Sequence, residues 1–217
     1  MVHGFCCTIF CFYHKSMRKV LIFFTALLIA SQLQAQDLVL LNRIKATNEK
    51  IETLEADIDN HYSKSGSVSY QYGKLYFVSP KEFAAYFDTG KYMIVNEKMI
   101  KMNIRLFQGT FRLKENGIMQ SLGNVFLYGI QGRIQELSDE NSYNMETQTE
   151  TDCHIITCTN NKKKLIGIGY KQVIFKYHTE SLLLKEIVLI NYKGNTDTYT
   201  LSDVKCNVPI DKQTFLF

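Results

Sequence analysis

The chain has 217 residues, 46% of them hydrophobic, with two prolines and no tryptophan, which suits one domain with a sizeable core. Its 25 Lys+Arg face 21 Asp+Glu, and residues 1–35 hold Lys15, Arg18 and Lys19 but no acid, leaving 22 bases against 21 acids beyond them. So balanced a remainder gives no argument for nucleic acid or an anionic membrane as partner.

From Met17 the chain reads "MRKVLIFFTALLIASQLQAQ". Arg18 and Lys19 form a positive n-region, Val20–Ala30 an apolar run, and small and polar residues follow. This is the pattern of a secretory signal peptide. Cleavage is expected after Ala35, with a single domain over 36–217 and residues 1–16 as an over-extended start. The apolar run falls short of the ~20 residues that span a bilayer. Export leaves Cys153, Cys158 and Cys206, an odd number for an oxidising compartment. Either one bridge and one free thiol or three reduced buried thiols fit. In "CHIITC", residues five apart on a strand point to opposite faces, so any bridge is expected to use Cys206.

Residues 38–60 read as helix, because Leu41, Ile44, Ile51, Leu54 and Ile58 recur at spacings of three, four or seven. "SKSGS" ends it. The period then becomes two. "SVSYQYGKLYFV" sets Val68, Tyr70 and Tyr72 against Ser67, Ser69 and Gln71. "MIKMNIRL" sets Ile100, Met102, Ile104 and Leu106 against Lys101, Asn103 and Arg105. A one-sided antiparallel sheet follows, with Pro80 at a bend or edge. In "IMQSLGNVFLYGIQGRIQEL", Met119, Leu122, Phe126 and Ile130 form a helical stripe. Gly123, Gly129 and Gly132 interrupt it at about 1 kcal/mol each, predicting two short, jointed, loosely held helices. "SDENSYNMETQTETD" reads as a polar connection. Short β-branched strands follow, "HIITCT", "LIGIGYKQVIFKYH", "LLLKEIVLINYK" and "TYTLSDVKCNVPI", separated by turns. The expected class is α+β: a many-stranded antiparallel sheet curling into an unclosed barrel, with an N-terminal helix and mid-chain helices over its concave apolar face.

Catalytic patterns are sparse. There is no G-x-S-x-G, H-E-x-x-H or phosphate-binding glycine loop. Cys153, His154 and Cys158 match no tetrahedral zinc spacing. No catalytic residue, metal or cofactor is expected. The apolar features point instead to an adaptable pocket for apolar ligands, helped by Met93, Met99, Met102 and Met119. Its expected lining is Tyr70, Tyr72, Phe83, Phe87, Ile100, Met102, Ile104 and Leu106 from the strands, and Met119, Leu122, Phe126 and Ile130 from the lid.

These residues resemble the LolA family, periplasmic carriers of outer-membrane lipoproteins. The resemblance runs through "IETLEADIDNHYS" and a "G-x-L-x-F-x-x-P-x-x-F" pattern at Gly73, Leu75, Phe77, Pro80 and Phe83. It ends at Gly194, Asn195, Thr198, Asn207, Phe215 and Phe217. It implies a half-barrel with a helical lid, acyl chains of a lipoprotein or lipid between them, an inner-membrane release complex and an outer-membrane acceptor as partners, and a monomer. Where the family carries an arginine before the proline, reaching the lid, this chain has Ser79. Other readings are a lipid-sensing regulator of the RseB type, a pathway-specific lipid-binding paralogue, and an enzyme acting on a hydrophobic substrate.

Overall fold

The computed structural model describes residues 37–96, 99–104, 107–112, 118–141, 143–160 and 170–216; the expected leader, Leu106 and "LIGIG" lie outside them. Contacts divide the chain into two units, residues 1–42 and 43–217. Residues 37–48 are helical (α1). A meander of six strands follows: β1 (Thr53–Lys64), β2 (Ser67–Val78), β3 (Glu82–Phe87), β4 (Tyr92–Asn96), β5 (Met99–Ile104) and β6 (Phe107–Arg112). Two helices, α2 (Ile118–Gln131) and α3 (Ile134–Asn141), separate it from a second meander. That one comprises β7 (Tyr143–Thr149), β8 (Cys153–Asn160), β9 (Tyr170–His178), β10 (Leu184–Asn191) and β11 (Thr196–Cys206). β11 pairs with β1, which joins the meanders into one eleven-stranded sheet in the order β6-β5-β4-β3-β2-β1-β11-β10-β9-β8-β7. Neighbours are antiparallel, β6 and β7 are the edges, and the sheet is not closed. No helix among the described residues is long and apolar enough to cross a membrane.

Two sequence expectations give way. Helix was expected to residue 60, yet β1 begins at Thr53. Leu54 and Ile58 are four apart, which puts them on one face in a strand as well as in a helix. Ala56 and Asn60, also buried, complete the period of two. "SKSGS" is therefore a hairpin turn: Ser65 and Gly66 both have positive φ (47° and 85°) between paired Lys64 and Ser67, as a two-residue primed turn requires. The second change is "SDENSYNMETQTETD", which supplies the end of α3 and all of β7. β7 pairs only with β8, and an edge strand buries little, so its polar composition concealed it.

The register assigns the faces. Leu54, Ala56 and Ile58 of β1 share a face with Leu75 and Phe77 of β2, Phe83 and Ala85 of β3, Met93 and Val95 of β4, and Ile100 and Met102 of β5. All are buried. On the other half, Val173, Phe175 and Tyr177 of β9 align with Ile187 and Leu189 of β10. α2 covers this inner face. A smaller cluster forms on the outer face, where the C-terminal segment folds back. Phe215, in a 3-10 turn over Lys212–Phe215, buries against Ala84 and Ile94. The Tyr86 hydroxyl donates to the Thr214 carbonyl at 2.6 Å. Cys153, Cys158 and Cys206 are free thiols, Cys153 and Cys158 buried and opposite His178 and Val173, positions of opposite face.

The α1 side is tied by charge. Lys45 Nζ donates to Glu136 Oε1 at 2.8 Å, and Arg133 Nε donates to Glu136 Oε2 at 2.9 Å. Arg133 and Lys45 hold the Glu136 carboxyl down at about 2 against an ordinary 4.5, despite some opposing desolvation. A lowered folded-state pKa adds stability above pH 4.5 that is lost as pH falls toward 2. The pair is about one-third exposed, so screening keeps the gain below about 1 kcal/mol. Glu136→Gln should flatten the acid limb of a stability-against-pH curve over that window. Superimposable limbs for the two proteins would show that the cluster contributes nothing.

Candidate functional site

The inner face under α2 is the candidate site. Seven of the expected lining residues come together there. Phe83, Ile100 and Met102 are fully buried, Phe126 and Ile130 nearly so, and Phe87 and Ile104 are half-buried at the same end of β3 and β5. The Phe126 ring stacks on Phe83 at 5.0 Å between centroids and meets Tyr199 edge-on at 4.9 Å, geometries that aromatic quadrupoles favour. Met119 and Leu122 lie on α2.

Tyr70 and Tyr72 are corrections. They are 62% and 56% exposed and lie on the opposite face. The buried set of β2 is Gln71, Leu75 and Phe77. Lys74 shares the face of Tyr70 and Tyr72, and an unpaired ammonium is too costly to place against an apolar core. Tyrosine tolerates that wetter face because its hydroxyl stays hydrated.

The glycines of α2 also act differently from expectation. A Cβ at Gly129 would lie 2.8 Å from Phe175 Cε1, and one at Gly123 would lie 3.4 Å from Val95 Cγ2. They let the helix press onto the sheet rather than loosen it. Only Gly132 acts as the joint: its φ is +68°, and α3 starts two residues later.

Two hydrogen bonds fix the last turn of α2. The buried Tyr177 hydroxyl donates to the Gly129 carbonyl at 2.6 Å, and burial pushes that phenol well above its ordinary pKa, so it remains a donor. Gln131 Nε2 donates to the Pro80 carbonyl at 2.6 Å, while Gln131 Oε1 accepts from Arg133 at 3.1 Å. The exposed Ser79, joined to Pro80 by a cis peptide, donates its backbone N–H to Glu52 O at 2.8 Å. At this turn the helix side chain reaches the strand connection, the reverse of an arginine reaching from the connection to the helix. Sequence reading missed Gln131, Tyr177 and Tyr199. Alternation in "VIFKYH" and "TYTL" marks the tyrosines as strand residues, but nothing local marks what they meet.

One cluster among the described residues has the spacing of a metal site. Glu150, Asp152 and Cys153 place their ligand atoms within 4.8 Å of one another. Asp152 is paired with Lys185, and burial, then Asp152 and Glu150, push the Cys153 thiol up, against the thiolate a metal needs.

No family model and no curated protein matches the chain. Solved structures do. An outer membrane lipoprotein-sorting protein domain from Vibrio parahaemolyticus is 11% identical over 82% of this chain and 95% of its own, with a TM-score of 0.45. A LolA superfamily protein from Nitrosomonas europaea is 7% identical over 81% and 97%, with a TM-score of 0.39. MucB is 12% identical, covering 84% of this chain and 63% of its own, with a TM-score of 0.47.

Proposed function

We propose that the protein is a non-enzymatic, exported carrier that holds the acyl chains of a lipoprotein or lipid between the inner sheet face and α2. The observation that supports this most is a broad apolar face on an open sheet, closed by a helical segment separate from either meander. Acyl chains need area and few polar contacts. In the form described, α2 lies on the inner face with Val125, Phe126, Leu127 and Ile130 buried, so loading requires α2 to lift. Phe87 and Ile104, half-buried at one end, would form the rim a chain meets first. Export rests on the leader sequence.

Three measurements test this reading. Native mass spectrometry of gently purified protein should show co-purified acylated species. Hydrogen exchange over residues 118–135 should be faster than in the central strands in the empty protein, because α2 must lift to load, and should slow once an acylated ligand is added. Ile104→Lys should weaken binding of an apolar probe with little change in urea midpoint, since a rim residue can keep its ammonium wet. Protection of 118–135 equal to that of the central strands without ligand would make α2 permanent core and end the carrier reading.

A further inference from the structure

We propose that the cleft over β2 and β3 binds an organic cation, with a quaternary ammonium as its best ligand, by cation–π contact with Tyr72, Tyr76 and Tyr86. The cleft is a shallow, open depression of about 610 Å³, and Gly73, Lys74, Asp88 and Thr214 complete its lining. Tyr72 and Tyr76 are four apart on one face of β2, ~13 Å along the strand. Tyr86 is the β3 partner of Lys74, midway between them. The three rings thus bound a triangle whose centre would belong to the Lys74 side chain.

That side chain is drawn elsewhere. Lys74 is ion-paired with Asp57 of β1, its cross-strand partner on the side away from β3. The ammonium is engaged by Asp57, and Lys74 still contributes to the lining. β1 presents Glu55, Asp57 and Asp59 on this same face, and Asp88 closes the far end. Lys205, opposite Glu55, is bonded to Asp203. The surround is therefore acidic, and the rings offer the negative faces of their quadrupoles. An anion is repelled here, and a neutral apolar ligand gains nothing from the carboxylates. A bulky cation of low charge density sheds water cheaply and uses both. The same face already shows the interaction: Lys101 Nζ lies 5.7 Å from the Tyr92 ring centroid, and Tyr92 is 6.4 Å from Tyr86. Tyr86 is fixed by its hydrogen bond to Thr214, so a ligand meets at least one preorganised ring.

This site lies on the opposite side of the sheet from α2 and stands independently of the carrier reading. Calorimetric titration of the full chain with choline, its neutral isostere 3,3-dimethylbutan-1-ol, and phosphocholine tests it. Choline should bind ~10-fold tighter than the isostere, and Tyr72→Leu, at an exposed position, should cost ~10-fold. Lys74→Met keeps the stem and removes the competing charge, so choline affinity should rise ~3-fold. Asp57→Asn frees Lys74 to fall back among the rings and should lower it. Phosphocholine binding more weakly than choline assigns the site to free cations, because its phosphate meets the carboxylates; equal or tighter binding assigns it to a zwitterionic lipid headgroup. Equal affinity for choline and the isostere, a loss on Lys74→Met, or no choline binding up to ~0.1 M overturns the proposal.

Discussion

Gly73→Ala should cost about 3 kcal/mol or more, although the substitution adds a single methyl group. The backbone at Gly73 is not in the left-handed region, so conformational freedom is not the reason for glycine. Space is. A Cβ there would lie 2.0 Å from the Tyr86 carbonyl oxygen and 2.9 Å from its carbon. Both are backbone atoms of the paired strand and cannot rotate aside. Gly73 pairs with Phe87 of β3 and with Ile58 of β1, so any retreat disturbs two ladders. Overpacking costs ~1–3 kcal/mol where side chains can yield; a backbone obstacle sets the upper end. Urea midpoints, with hydrogen exchange on β2 and β3, measure the effect. Gly66→Asn is the control: Gly66 has φ +85°, a Cβ added there would meet nothing within 4 Å, and asparagine tolerates that conformation. A Gly73→Ala loss within ~0.5 kcal/mol, the range of ordinary surface substitutions, would show that β2 and β3 part easily.

Gly73 also illustrates what the sequence can and cannot say. Alternation in "MIKMNI" correctly placed Ile100, Met102 and Ile104 on one face, because Lys101 and Asn103 leave no other choice. The same rule failed on β2. Val68, Tyr70 and Tyr72 looked like the apolar set when read from the start of the strand. The deciding residues were Lys74, Leu75 and Phe77 further along. Jointed helices over the sheet were legible from glycines in an apolar stripe, but their meaning was not. Gly129 is defined by Phe175, and Gln131 by Pro80, partners 46 and 51 residues away in sequence. The C-terminal fold-back was read as continuing strand, since "NVPI" keeps a β-branched character. Asn207 ends it with φ +58° and a backbone bond from its N–H to Thr53 O at 2.7 Å. Tertiary partners, not local preference, decide each of these positions.

Met102→Glu should unfold or nearly unfold the protein at neutral pH. Met102 is fully buried on the inner face, opposite Met93 of β4 and Gly109 of β6. A lone carboxylate in such a place costs several kcal/mol even after relaxation, against a total stability of ~5–15 kcal/mol for a domain. Burial would raise the new carboxyl's pKa above its unfolded value. The folded state then favours the protonated form, so the penalty is greatest above the raised pKa and eases as pH falls. Met102→Leu conserves volume and should cost less than ~1.5 kcal/mol. Urea midpoints of both variants at pH 7 and near pH 5 separate charge from shape: the Glu variant should regain stability at the lower pH, the Leu variant should not. Ile104→Lys, two residues along the same face but half-buried, should stay folded. The contrast locates the boundary between core and rim. If Met102→Glu instead keeps its midpoint and loses only affinity for an apolar probe, the face below α2 opens readily to solvent, and the inner face is a cavity wall at Met102 as well as at Ile104.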